Sequence, residues 1–88
     1  DLQALRVSST KALHGHLLGG AGALEAVITV LALQARRAPP NAHCEQQDPA
    51  CAVVLVPDGG AEIRGPGAAM SSSFAFGGTN SVLLFTSV

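Results

Sequence analysis

Seventeen residues from Leu17 to Leu33 carry a single charge, Glu25, and are apolar nearly all the way round a helical wheel. A surface helix keeps a polar stripe. This segment has none, so whatever fold the chain adopts must cover it on most sides or place it in lipid. The stretch reads as one buried helix from His16 to about Arg37, with Gly15 before it and Pro39-Pro40 to stop it. Arg36 and Arg37 in the last turn would complement the negative end of the helix dipole. Gly19, Gly20 and Gly22 are costly inside a helix, and are expected where another backbone packs very close. Seventeen residues lie at the lower limit for a bilayer span, and Glu25 at the centre makes that reading expensive. No membrane is therefore expected.

Composition sharpens the need for cover. With 88 residues, of which 48% are hydrophobic and 12% charged, the chain is one domain at most. A chain of this size buries only about 60–65% of its unfolded surface, and the usual charged fraction is about 25%. The surplus apolar surface calls for a larger parent protein, a partner chain or a membrane. A net charge of −1, no Trp or Tyr, and three Phe confined to the last fifteen residues give no footprint for nucleic acid. Two cysteines are too few for a disulfide scaffold. The opening DLQALRVSSTK lacks the basic start and apolar run of a signal peptide.

Around the helix, Leu2–Ser8 and Ala52–Val56 read as short strands, and residues 38–51 and 61–67 as loops. Ala68–Phe76 and Ser81–Ser87 read as two strands joined by Gly77-Gly78-Thr79-Asn80. The last strand, SVLLFTS, does not alternate, as expected of a strand covered on both faces. One helix cannot cover both sides of a sheet. The fold class is therefore α/β, and the chain is expected to be a fragment of a larger α/β enzyme.

Most motif-like features have plain readings. Gly20-Ala21-Gly22 supplies G-x-G without the third glycine or a P-loop Lys-Ser/Thr, and lies within the helix. Cys44-x6-Cys51 with His43 matches no common zinc spacing, and His14-x-His16 has no acidic companion, so no metal is expected. No cofactor is expected either.

Lys11, His14 and His16 form a tighter cluster. A short strand would deliver Ser9-Thr10-Lys11 to a sheet end, where ligands of open α/β sheets bind. His16 at a helix start would feel the positive dipole and serve as a neutral hydrogen-bond donor to an oxyanion. Glu25, nine residues on, needs a partner if buried, and Lys11 is the plausible cation if the strand runs beside the helix. On spacing alone the cluster is as readily structural as functional. The Ser71–Asn80 stretch is likewise open between a simple hairpin turn and a nest of backbone N–H groups for an anion.

Taken together, these two segments resemble the C-terminal end of a β-ketoacyl-acyl-carrier-protein synthase of dissociated fatty acid synthesis. Val7-Ser8-Ser9-Thr10-Lys11, Gly15-His16-Leu17-Leu18-Gly19 and Ala21-Gly22-Ala23-Leu24-Glu25-Ala26 are similar to the family's S-x-K-x-x-x-G-H-L-L-G-A-A-G-A-x-E-A block. Pro39-Pro40-Asn41, Asp48-Pro49, Cys51 and Val56-Pro57 follow its next segment in order. Ser73-Phe74-Ala75-Phe76-Gly77-Gly78-Thr79-Asn80 resembles its S-F-G-F-G-G-T-N turn.

The resemblance implies a thiolase-like fold of which residues 1–88 are a partial C-terminal portion. It implies decarboxylative condensation of malonyl-carrier protein with an acyl thioester, with acyl carrier protein as partner and a homodimeric full-length enzyme. By position His16 matches the second catalytic histidine, which steadies the enolate oxygen. Lys11 matches the supporting lysine and Glu25 its ion-pair partner. Phe76 matches the gating aromatic, whose N–H serves the oxyanion hole, and Gly77 and Gly78 support it. The nucleophilic cysteine and first histidine belong to earlier regions of the family, and neither Cys44 nor Cys51 has the nucleophile's context. Two positions depart from the pattern. His14 stands where a small or polar residue is usual, and would crowd or rewire the site. Ala75 stands where Gly is usual, and would be strained if the backbone needs φ > 0. The expected setting is bacterial cytosol, or mitochondrial matrix or plastid in a eukaryote. The competing reading is a catalytically inactive module that binds a synthase subunit.

Overall fold

The computed structural model describes residues 2–87, Leu2 by its backbone only. Its elements are a 3-10 turn at Leu2–Ala4, helix α1 (Lys11–His14), a second 3-10 turn at Leu18–Gly20, and helix α2 (Ala21–Ala35). Four strands follow, β1 (Arg37–Ala38), β2 (Ala61–Glu62), β3 (Ala68–Ala75) and β4 (Thr79–Thr86). The α/β mixture, with one long helix and a C-terminal hairpin, is as expected.

Helix α2 is shorter than the expected 16–37. It starts five residues later because Leu18 has φ 51°, which no helix accommodates. It stops at Arg36, whose φ of 56° forms a left-handed cap with its N–H donating to the carbonyls of Ala32 and Leu33. The stop thus precedes Pro39-Pro40 by three residues. The guanidinium groups of Arg36 and Arg37 donate to the carbonyls of Gly65 and Gly59. They bind neighbouring loops rather than the helix end. Those loops are not structureless: β1 and β2 pair antiparallel, Arg37 opposite Glu62 and Ala38 opposite Ala61. Gly60 makes that approach possible, since a Cβ there would lie 2.7 Å from the Ala38 carbonyl oxygen.

The expected strands at Leu2–Ser8 and Ala52–Val56 reduce to one parallel bridge, Val7 with Leu55. The hairpin is close to expectation, with β3 and β4 in continuous register from Ala68↔Thr86 to Ala75↔Thr79. Its turn is Phe76–Gly78, with φ 77° at both glycines. Ala75 has φ −129°, ordinary extended backbone, so its departure from Gly carries no strain.

Alternation along β3 puts Ala69, Ser71 and Ser73 half-buried on one face, with Phe85 of β4 on the same side. Helix α2 packs on this face, chiefly against β3. Ser73 Oγ lies 3.7 Å from where a Cβ on Gly22 would stand, an ordinary contact, and Gly19 has open space around it. The expected close approach of a second backbone at these glycines is not made within the chain. The opposite face of the hairpin carries Met70, Phe74, Val82 and Leu84, all exposed.

The helix too is uncovered. Only Ala21 and Leu33 of α2 are buried, while Val27, Val30 and Leu31 face out. Val56 is the only large side chain fully enclosed among the described residues. The accessible surface is 6537 Å², against about 4,800 Å² for a compact monomer of this mass. The excess is of the order of a standard protein–protein interface counted over both partners, roughly 1,600 Å².

Candidate active site

The segment that carries the candidate residues is tied down at its root by backbone and by one amide. Val7 N–H donates to the Val54 carbonyl, and Val56 N–H donates to the Val7 carbonyl, each at 2.9 Å. Asn41 then spans the junction. Its Oδ1 accepts from Ser9 N–H at 2.9 Å, and its Nδ2 donates to the carbonyls of Val7 at 2.9 Å and Val56 at 3.2 Å. Ser8 Oγ donates to the Pro39 carbonyl at 2.6 Å. Residues 7–9 are thus fixed against residues 39–41, and the next residue, Thr10, is the cap position of α1.

Lys11 lies at the start of α1 and Glu25 in the second turn of α2. Their side chains form an ion pair, with Glu25 the more buried of the two. A partly buried carboxylate in an apolar helix is stabilised by such a partner, because the alternative is an unpaired charge out of water. The pairing anticipated from burial is present.

Gly15, with φ 81°, ends α1 and turns the chain into His16. His16 lies in irregular chain, not at a helix start, and α2 begins only at Ala21. The dipole account of this histidine is therefore replaced by a local one. Leu18 N–H donates to His16 Nδ1 at 3.0 Å. A neutral imidazole whose Nδ1 accepts carries its proton on Nε2. The ring thus offers an N–H donor on the side away from its own backbone. Leu18 reaches the position with left-handed φ, a conformation costing a leucine about 1–2 kcal/mol. Such outliers gather at functional sites.

His14 bonds within its own turn. Its Nδ1 donates to the Gly15 carbonyl at 2.7 Å, so its Nε2 accepts from Thr10 Oγ1 at 2.8 Å. The imidazole closes α1 on itself. The Phe76 side chain is fully exposed at the hairpin tip. Among the described residues no hydrogen bond or ion pair joins this turn to Lys11 or His16. The nearest structural link is the start of α2 at Gly22 beside Ser73, three residues before Phe76.

Cys44 and Cys51 are free and exposed in the 38–51 loop. No three His, Cys, Asp or Glu side chains cluster as a metal site among the described residues.

Residues 1–45 match the family described as "Beta-ketoacyl synthase, C-terminal domain". The chain belongs to this family. Its thiolase-like fold is the one anticipated from the motifs. The chain is 48% identical over 84 residues, 96% of its length, to 3-oxoacyl-[acyl-carrier-protein] synthase 2 of Coxiella burnetii. It is 44% identical to the Vibrio cholerae protein of the same name over 90% of its length. It is also 44% identical to Nodulation protein E of Rhizobium leguminosarum bv. trifolii over 96% of its length. It spans about a fifth of the length of each of these relatives.

Two residues escaped the sequence reading. Asn41 stands only at the end of the family-like Pro39-Pro40-Asn41, with no local mark of its three distant partners. Leu18 carried no signal at all, since nothing local marks a leucine for φ > 0.

Proposed function

We propose that this chain supplies the decarboxylation half of a 3-oxoacyl-acyl-carrier-protein synthase site. The observation that carries the reading is the His16 ring. Its Nδ1 is occupied by Leu18 N–H, leaving Nε2–H to donate, in a segment braced by the Lys11–Glu25 pair. In malonyl-carrier protein the bond to the carboxylate breaks, CO2 leaves, and the electron pair becomes an enolate. His16 Nε2–H donates to the enolate oxygen as charge builds there, which is where preorganised donors lower a barrier most. The carbanion attacks an acyl thioester held on a cysteine, forming the new carbon–carbon bond and expelling the thiolate. Lys11, paired with Glu25, holds the positive potential beside this site. Phe76 gates the acyl group and lends its N–H to the acyl oxyanion, with Gly77 and Gly78 giving the turn its left-handed backbone. The cysteine and the first histidine come from residues outside this chain.

On this reading residues 1–88 are the C-terminal portion of a thiolase-like domain rather than a whole one, which fits the surplus of exposed apolar surface. The partner is acyl carrier protein bearing acyl and malonyl thioesters, and the full-length enzyme is a homodimer. The relatives named above are bacterial, which favours the bacterial cytosol. The span Leu18–Ala35 is apolar enough by length and composition to cross a membrane, with mean hydropathy 1.6. Glu25 within it is already paired with Lys11, and we assign the span to the interior of a soluble enzyme.

The test is a hybrid in which this chain replaces the matching segment of the Coxiella burnetii relative. The hybrid should decarboxylate malonyl-carrier protein and condense it with an acyl thioester. His16→Ala in the hybrid should lower decarboxylation about 10²–10³-fold, as for loss of one oxyanion donor, while acyl transfer to the cysteine persists. A folded, dimeric hybrid without condensing activity would instead favour the inactive-module reading.

A further inference from the structure

Asn41 makes more long-range polar connections than any other side chain among the described residues. We propose that it is a positioning residue for the lysine–histidine segment, an inference that rests on the condensing-enzyme reading for its catalytic consequence but not for its structural one.

The amide is half-buried at the meeting of three stretches of chain that are remote in sequence. One carboxamide oxygen takes Ser9 N–H, and one carboxamide nitrogen feeds both the Val7 and the Val56 carbonyls. Its own main-chain N–H adds a bond to the Val56 carbonyl at 3.3 Å. Glutamine apart, no other side chain pairs an acceptor oxygen with a two-proton donor nitrogen. Aspartate accepts but cannot donate, and would aim a charge at two carbonyl oxygens. Serine is too short to bridge the three partners. The two ends of Asn41's reach matter differently. The Val56 end anchors it to the main chain of a residue whose side chain is fully enclosed. The Ser9 end holds the main chain two residues before Lys11.

Lys11 therefore has two restraints: its ammonium on Glu25 and its main chain, through Ser9, on Asn41. With only the first, the flexible lysine stem still finds Glu25, but α1 and the Gly15–His16 turn behind it are free to shift as a unit. A displacement of about 1 Å at a catalytic group is enough to cost on the order of a hundredfold in rate. Asn41 acts through Lys11 and His16 and touches no reacting atom.

The test uses the hybrid synthase and reads two quantities. Amide hydrogen exchange reports the clamp directly, whether or not the protein is active. Asn41→Ala should raise exchange at Ser9 at least tenfold and leave the β3–β4 amides unchanged. Asn41→Asp keeps the acceptor, so it should protect Ser9 better than Asn41→Ala does. Uniform loss of protection would mean that the residue only holds the fold together, and unchanged protection at Ser9 would mean that it holds nothing. Either result overturns the proposal. In kinetics, Asn41→Ala should lower kcat for decarboxylation roughly tenfold with little change in the KM for the acyl thioester. Combined with Lys11→Ala, it should add less than its separate effect, as expected for groups that act together. Full additivity would refute the coupling to Lys11. Inactivity of the unmutated hybrid would refute the condensing-enzyme reading while exchange still decides the clamp.

Discussion

Two regions of this molecule solve opposite problems. The segment from Val7 to Glu25, with Asn41 and Val56 behind it, is held by polar contacts: Val7 and Val56 bond through their backbones, Lys11 meets Glu25, and the Asn41 carboxamide has three partners. The β3–β4 hairpin is held in this way only along its ladder. One face lies against α2, and the other presents Met70, Phe74, Val82 and Leu84 to solvent. Hydrogen bonds saturate within the chain because donors and acceptors need few, close partners. Apolar surface does not, because covering it takes whole layers of structure. The site can therefore be positioned locally while the scaffold around it keeps apolar surface open.

The contrast can be broken first at the hairpin. Leu84→Asp should shift the stability of the 88-residue chain by no more than about 0.5 kcal/mol, the usual range for exposed sites. If the outer face is covered in the hybrid synthase, the same change there should destabilise by several kcal/mol, since it would bury an unpaired charge. Parallel chemical denaturation of both pairs would show it, and equal effects in the two settings would mean that this face stays solvated.

A second test addresses the first of the two regions. Val56→Ala removes the enclosed side chain beneath the Asn41 junction and should cost about 1–3 kcal/mol in the hybrid. The loss should appear as a lower denaturation midpoint at constant slope. A loss below 0.5 kcal/mol would show that the junction is held by its hydrogen bonds alone.

The smallest effect is expected at Leu18. Glycine adopts φ > 0 without penalty, so Leu18→Gly should be neutral or stabilising by up to about 1 kcal/mol, offset by the greater freedom of glycine in the unfolded chain. Since the bond from residue 18 N–H to His16 Nδ1 needs that same φ, decarboxylation should stay within about twofold of the parent hybrid. A large rate loss would assign Leu18's side chain a role that its exposure does not suggest.

Local chemistry made several of these features legible before the fold. Gly77-Gly78 after a β-prone run marked the hairpin within one or two residues. An acidic residue in an apolar helix asked for a cation, and Lys11, on the chain leading into the helix, met it. The two motif blocks named the family. The helix start was misplaced because Gly15-His16 looks like an entry to a continuous apolar run, whereas the left-handed Leu18 that interrupts it has no sequence signature. The strands at Arg37–Ala38 and Ala61–Glu62 were invisible because each is two residues long and exists only through the other.

The amino-acid sequence by itself thus determined the helix, the hairpin, the Lys11–Glu25 pairing and the need for outside cover. All of them follow from periodicity, turn chemistry, charge and composition read over a few neighbouring residues. Only the tertiary structure decided where α2 begins, how His16 is oriented, and that Asn41 joins residues 7–9 to residue 56. The last depends on partners up to 34 residues apart, and a hydrogen bond across that distance leaves no local trace in either partner's neighbours; the first two turn on the left-handed backbone of Leu18, which a leucine does not advertise.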